Sequence, residues 1–429
     1  MLRNLQYVCL IGSIGLIGAD RVDLFAGRGP FTLTPFLVLA PLVLLIGILR
    51  TSPGGMFRLS ITPPIRRQEP FVIASGLFLA LSFASAPIGL DPERSMVAFV
   101  DLFLVAVLGY FISLQILKEP DQEKLIVTSI AFGLIVYSVF CVAEFIAWSH
   151  GIVITAQREG SWLEWTFGPG TLGPWAPTLS GTNYDSNRSG FVLTMYLALV
   201  DRFAPKSRHA PFFRIAIPLL IGLSLSRSGT LCWLAYYLSS RSFWRRLASR
   251  RVLVRIAAVA IVGSLVFAVY QEQIIELAQA WEIADAVSAK MSMDPGSSGE
   301  SHIFLIERGL KTWLTSTKTV MTGIGYAAAP KVLEDFFGND KRGNFHNLYV
   351  TTLAEMGLPG FLVLLFLLIY PIFGRNGVVP CIAAILVFNV SYQTETEPML
   401  WLMLALLWSY DRRKSRRPQS VALAHRFAD

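Results

Sequence analysis

Three places in this chain set side chains fit to move a proton or grip a phosphate beside apolar runs. In GNFHNLYVTTLAEMGLPG, from Gly343 to Gly360, Asn344, His346 and Asn347 gather before a helix-like pattern that Gly357, Pro359 and Gly360 interrupt. An imidazole titrates near neutral pH, so His346 could take a proton from something partly wet and partly greasy. Arg227 stands in SLSRSG between two apolar segments, flanked by Ser224, Ser226, Ser228 and Gly229. A guanidinium stays charged and donates two parallel hydrogen bonds, which suits phosphate, and the small neighbours leave room for an anion. Arg308, in SHIFLIERGLKTW, is the third. Each also has a plainer reading: an interfacial histidine, an arginine snorkelling to headgroups, and a charge on the solvated face that Glu307 and Lys311 share.

Lesser candidates surround them. Asp101 and Glu144 lie inside apolar runs, where they mark a proton or ion route or pair with a polar partner inside the bundle. Asp185, Asn187 and Arg188, in NYDSNRSG, are placed to cap the helix that follows or to line the same cavity. The four cysteines, Cys9, Cys141, Cys232 and Cys381, are far apart in apolar runs and read as small buried hydrophobes. There is no P-loop, no HExxH and no Asp-x-Asp pair, so the chemistry is expected to need neither nucleotide, metal nor other cofactor.

The elements that must position these residues are membrane helices. Of the 429 residues 53% are hydrophobic and 15% charged, against about a quarter charged in soluble domains. That composition describes one integral membrane body over 1–429. The net charge of +8 then belongs to cytoplasmic loops rather than to nucleic-acid binding. At roughly 20 apolar residues per span, the segments are Leu5–Ala19, Phe31–Leu49, Phe71–Ile88, Met96–Leu117, Leu125–Trp148, Gly190–Val200, Phe213–Leu225, Gly229–Leu238, Val252–Tyr270, Leu358–Phe373, Val378–Val390 and Met399–Trp408. The expected fold is therefore all-α and polytopic, with about twelve crossings, several of them short. Asp20 and Arg21 follow the first segment in place of a small-x-small cleavage site, so it reads as a retained helix.

Arginine placement orients the bundle. With both termini cytoplasmic, the Arg241–Arg255 cluster, the basic tail 411–429, Arg50–Arg67 and Lys206–Arg214 all fall inside. Two polar stretches, 149–187 and 271–345, then fall outside with Arg227 and His346. The longer one is expected to cap the site. It holds an amphipathic stretch Gln271–Met291 suited to the membrane surface, then a flexible break at Asp294–Ser301. A helix His302–Trp313 follows, with Ile303, Ile306, Leu310 and Trp313 on one face. A turn at Thr322–Tyr326 leads to a short helix Pro330–Phe337. Residues 346–373 form a histidine-bearing helix and the membrane helix after it.

The three chemical segments, in this order, resemble the bacterial O-antigen ligase and polymerase superfamily. SLSRSGTLCWLAYYL is similar to its Ser-Arg-Gly/Ser element, ERGLKTWLTSTKTVMTGIGY to its arginine-tryptophan helix and Gly-x-Gly turn, and GNFHNLYVTTLAEMGLPG to its His-Asn…Glu-x-Gly…Gly signature. NYDSNRSGF resembles an upstream Asn-bearing element more loosely, and Ser228 stands where the family often has Gly. The resemblance implies an inner-membrane glycosyltransferase that moves a glycan from undecaprenyl diphosphate to an acceptor hydroxyl at the periplasmic face. By the same resemblance Arg227 and Arg308 hold the diphosphate and His346 handles the hydroxyl proton. Asn347, Glu355, Asn187 and Ser228 support them.

A ligase would use a lipid A core as acceptor; a polymerase of O-antigen or exopolysaccharide would use another lipid-linked repeat unit. Both share these motifs, and the sequence favours the ligase label only slightly. A transporter or flippase of lipid-linked sugars would grip the same diphosphate without chemistry. No internal repeat appears, and the polar residues gather at one face, which argues against transport. Membrane lipids are the remaining expected partner, held in part by the cytoplasmic arginines.

Overall fold

A computed structural model describes residues 1–24, 32–51, 69–150, 178–183, 185–240, 298–334, 344–373 and 378–409. Among them the regular structure is helical, as the apolar runs and sparse charges predict. Eight of the described helices precede the long polar stretch: α1 (Leu2–Gly15), α2 (Pro35–Thr51), α3 (Glu69–Ser85), α4 (Pro92–Lys118), α5 (Gln122–Ser149), α6 (Ser186–Phe203), α7 (Ala210–Leu223) and α8 (Arg227–Leu238). Three lie within it: α9 (Ser298–Trp313), α10 (Thr317–Thr322) and α11 (Ala329–Val332). The last three are α12 (Leu348–Ile369), α13 (Val379–Phe388) and α14 (Pro398–Trp408). The segments Val252–Tyr270 and Gln271–Met291, the arginine cluster and the basic tail lie outside the described residues, as does most of 149–187.

Among the described residues three helices, Pro92–Lys118, Gln122–Ser149 and Leu348–Ile372, are long and apolar enough to cross a membrane, and five shorter helices are also apolar. Burial separates centre from rim. From Met399 to Trp408 every residue of α14 is buried, and so is every residue of α6 from Ser189 to Val200. A helix apolar all round belongs in the middle of such a bundle. By contrast α5 exposes Ile135, Val139 and Val142, and α7 exposes Phe212, Ile215 and Leu219. Rows of large apolar side chains at helical spacing on the outside are what a lipid-facing surface requires. The chain is an integral membrane protein. All four cysteines are unpaired and buried, as small hydrophobes are.

Close crossings set the geometry near the site. A Cβ on Gly190 of α6 would lie 2.3 Å from the Gly229 Cα of α8, so only glycine lets these helices meet there. A smaller core of Leu305, Ala329, Leu333, Phe345, Val350 and Ala354 seats α9 and α11 on the first turns of α12.

Several local expectations change. α9 begins at Ser298, inside the expected flexible break. Of the residues expected to share one face, Ile303 and Leu310 are exposed and Ile306 and Trp313 half-buried, while Leu305 and Gly309 are the buried positions. Gly309 is the cause: any side chain there would meet Val350 and Phe345, so the close-packed face runs through a residue that apolar periodicity does not register. The interruption expected at Gly357–Gly360 does occur: Gly357, at φ 68° and ψ −171°, is non-helical and parts two helical stretches within α12. The short helix expected at Pro330–Phe337 is Ala329–Val332 as far as the described residues go.

Candidate functional site

Two of the three chemical segments contain an unusual backbone conformation, and a third such position follows the Gly-x-Gly turn. Among the described residues the non-glycine positions with positive φ are Leu225 at 51°, Ala327 at 55° and His346 at 50°. The left-handed region strains an L-residue by roughly 1–2 kcal/mol, and such strain gathers at functional sites. Here one strained residue precedes Arg227, one follows the Gly-x-Gly turn, and one is the histidine itself.

Leu225 lets α7 end and α8 begin within three residues, which puts Arg227 on the first turn of α8. Ser226 caps that helix, its Oγ accepting from the Gly229 N–H at 2.9 Å. The same hydroxyl donates to Asn187 Oδ1 at 2.7 Å, so Asn187 on α6 fixes the cap that carries Arg227. Ser228 Oγ lies 2.8 Å from Ser391 Oγ. The side chain that departs from the family pattern thus has room, and ties α8 to the connection between α13 and α14.

His346 is pinned from both sides. Its N–H donates to Asn344 Oδ1 at 2.7 Å. Asn347 caps α12: its Oδ1 accepts from the Val350 N–H at 3.0 Å and its Nδ2 donates to the Val390 carbonyl at 2.7 Å. The Leu348 N–H reaches the Asn389 and Tyr392 carbonyls at 3.0 and 2.9 Å. The imidazole meets the edge of His302 from α9, ring centroids 4.7 Å apart at 66°. Tyr392 stands on another side at 6.5 Å. Burial, and then His302, push the His346 imidazole down to about 4, so it is neutral at neutral pH. His302 is lowered by burial and by the charge of Arg227, and Asp185 opposes them.

The structure therefore joins Arg227, His302 and His346 in one cluster. Arg308 is half-buried on the same helix, α9, roughly 9 Å of rise and about one and two-thirds turns beyond His302. His302 was legible in the sequence only as the start of a helix. Tyr392 gave no signal at all.

Glu355, on α12, holds the turn before α11. Its carboxylate accepts from the Ala327 and Ala329 N–H groups at 2.8 and 3.0 Å. Pro359 has no N–H to give the Glu355 carbonyl, and the Gly357 kink draws the next turn away from Ala354. The Gly-x-Gly turn supplies the missing donors: Ile324 N–H to Ala354 O at 2.8 Å and Gly325 N–H to Glu355 O at 3.0 Å. A Cβ on Gly323 would lie 2.2 Å from the Glu355 carbonyl. Kink and turn are complementary halves of one joint.

Glu144, Arg188 and Asp185 are each engaged in contacts between distant parts of the chain. Glu144 pairs with Arg21 at 2.5 Å and accepts from the Ser180 and Gly181 N–H groups at 3.0 and 2.9 Å. Arg188 pairs with Asp20 and Glu397. Asp185 caps α6 and accepts from the Tyr392 hydroxyl at 3.3 Å. Among the described residues no three His, Cys, Asp or Glu side chains group as metal ligands.

Residues 212–365, which include Arg227, Arg308 and His346, match a protein-family model described as O-Antigen ligase. No curated protein matches the chain at a significant level. The family match supports the O-antigen ligase and polymerase superfamily, and with it a membrane glycosyltransferase of ligase or polymerase type.

Proposed function

We propose, with the O-antigen ligase match as premise, that this protein transfers a glycan from undecaprenyl diphosphate to an acceptor hydroxyl at the periplasmic face of the bacterial inner membrane. The observation that carries the reading is a neutral imidazole, His346, in ring contact with a second imidazole that feels the charge of Arg227. In this reading the acceptor oxygen attacks the anomeric carbon as its proton passes to His346. The bond from that carbon to the diphosphate breaks on the opposite side, so the anomeric configuration inverts. Arg227 and Arg308 hold the diphosphate and stabilise the charge it gains on leaving, without a metal ion. Asn347 and Asn187 aim the histidine and the arginine, Ser228 anchors α8, and Glu355 sets the turn that α9 leads into.

The test uses purified protein in detergent with an undecaprenyl-diphosphate oligosaccharide and a chelator, offering lipid A core or lipid-linked repeat units in separate reactions. Release of undecaprenyl diphosphate is followed for wild type, His346→Ala, Arg227→Ala and Arg308→Ala. Chelator-resistant release onto lipid A core, lost in the variants, is the expected result. Release only with repeat units, with lengthening glycan, makes the protein a polymerase. Tight donor binding with no release under any acceptor overturns the enzyme reading in favour of transport.

A further inference from the structure

We propose that His302 is a positioning residue for His346, so that the proton-accepting unit is a histidine pair in which His302 sets the tautomer and charge state of its neighbour. This rests on the reading of His346 as the group that takes the acceptor proton, and it names the residue that makes that imidazole fit for the task.

The geometry leads to it. The two rings meet edge to face at 4.7 Å, although they come from elements 44 positions apart in the chain. His302 Nδ1 is buried and has no hydrogen-bond partner among the described residues. Leaving a buried nitrogen without a partner forfeits its hydration for nothing in return, so such an atom calls for one. His346 is the imidazole whose ring meets that of His302, here without a hydrogen bond to Nδ1. A neutral imidazole carries one N–H and one bare nitrogen, and a partner that engages the N–H fixes which nitrogen is bare. If His302 Nδ1 accepts from His346, the other nitrogen of His346 is left free for the acceptor hydroxyl. When that nitrogen takes the hydroxyl proton, the imidazolium formed still donates its original N–H toward His302. The proton is thereby accounted for within the pair, and no other reactant is needed.

The surroundings set the sign of the pH effect. Arg227 faces the pair from the start of α8 and disfavours a second positive charge. Asp185, from the start of α6, opposes it, and its carboxylate is engaged by Tyr392, which also stands beside His346. Glu307 and Arg308 are the charged residues next along α9 itself. His346 is lowered chiefly by burial and then by His302. Removing the His302 nitrogens therefore lifts the proton affinity of His346 partway toward its ordinary value.

The experiment is the pH profile of undecaprenyl-diphosphate release for wild type and His302→Phe, with imidazole ¹⁵N NMR of both proteins in detergent. Phenylalanine keeps a ring edge against His346 and removes both nitrogens. In the variant the acid limb of kcat should move to higher pH, with kcat at neutral pH about tenfold lower. KM for the donor should stay within about twofold. The ¹⁵N spectrum should change from one dominant His346 tautomer to a mixture, and His302→Asn, which restores a polar acceptor, should recover much of kcat. An unchanged acid limb and tautomer in His302→Phe overturn the pair, while loss of activity in His346→Ala alone would leave the base reading standing. Retained activity in His346→Ala removes the base reading itself, which the wild-type ¹⁵N titration separates from the pairing. Should His302→Phe not fold, that same titration decides: mutually dependent curves for His302 and His346 support the pair, and two independent single-step curves overturn it.

Discussion

The two ends of the helical bundle handle charge in opposite ways. At the end that holds His346, polar groups are buried and linked across distant parts of the chain: Arg21 to Glu144, Arg188 to Asp20 and Glu397, Tyr392 to Asp185. The Arg21 and Glu144 side chains are 1% and 5% exposed. At the opposite end Arg214 pairs with Asp201 while both remain about a third exposed, and Arg50 donates to the side chain of Gln6. Ordinary solvation explains that second end. The first requires a reason, because an ion pair withdrawn from water is weak evidence for stability on its own. Interlocked charges instead tie the residues after α1 and the end of α5 to the starts of α6 and α14, beside the connection from which Tyr392 reaches His346. Rigid support of this kind is what a preorganised site needs.

The contrast can be broken most forcefully at His346, the proposed proton acceptor. His346→Ala should slow undecaprenyl-diphosphate release by about 10²- to 10⁴-fold, the usual range for losing an acid–base group. Arg227→Ala should cost about 10²- to 10³-fold, as does removal of a group aimed at developing charge. Variants that release the lipid at the wild-type rate would strip the histidine end of its chemical meaning.

Next in size are the buried supports. Arg21→Met leaves the Glu144 carboxylate buried without its cation and should destabilise the protein by about 3–5 kcal/mol in detergent unfolding. Glu355→Ala removes the acceptor for two backbone N–H groups, at about 1–3 kcal/mol for each one that stays buried. It should also lower activity, because the turn that continues α9 and α10 loses its anchor on α12. A stable, fully active Glu355→Ala would show that the turn holds without it.

The pH dependence should be smaller. His346 is held near 4 in the folded protein, below the ordinary value of about 6.5. The unfolded chain therefore binds more protons between these limits. The resulting stability is complete above about pH 6.5 and is lost as pH falls toward 4. Replacing His346 with Phe should flatten that part of the profile; an equally steep acid loss in the variant would assign it to other groups. At the opposite end Arg214→Met should change stability by less than about 1 kcal/mol, as expected for an exposed pair. A loss there as large as that of Arg21→Met would erase the difference between the two ends.

Much of this is legible in the amino-acid sequence alone. The apolar runs predict helices where helices occur, since hydrophobic pattern and length depend on residues close together in the chain. Asn347, Ser226 and Asp185 act as caps within three positions of their targets. Gly357 and Pro359 announce a break, and the segments carrying Arg227, Arg308 and His346 resemble one family. What the tertiary structure decided involves residues far apart in sequence. The partner of Glu144 is 123 positions away, and nothing local distinguishes a route-lining carboxylate from a paired one. The meeting of His302 and His346 depends on how α9 seats on α12. That seating is set by Gly309, whose missing side chain admits Phe345 and Val350. Periodicity registers the side chains that are present, whereas packing between helices turns equally on where none is.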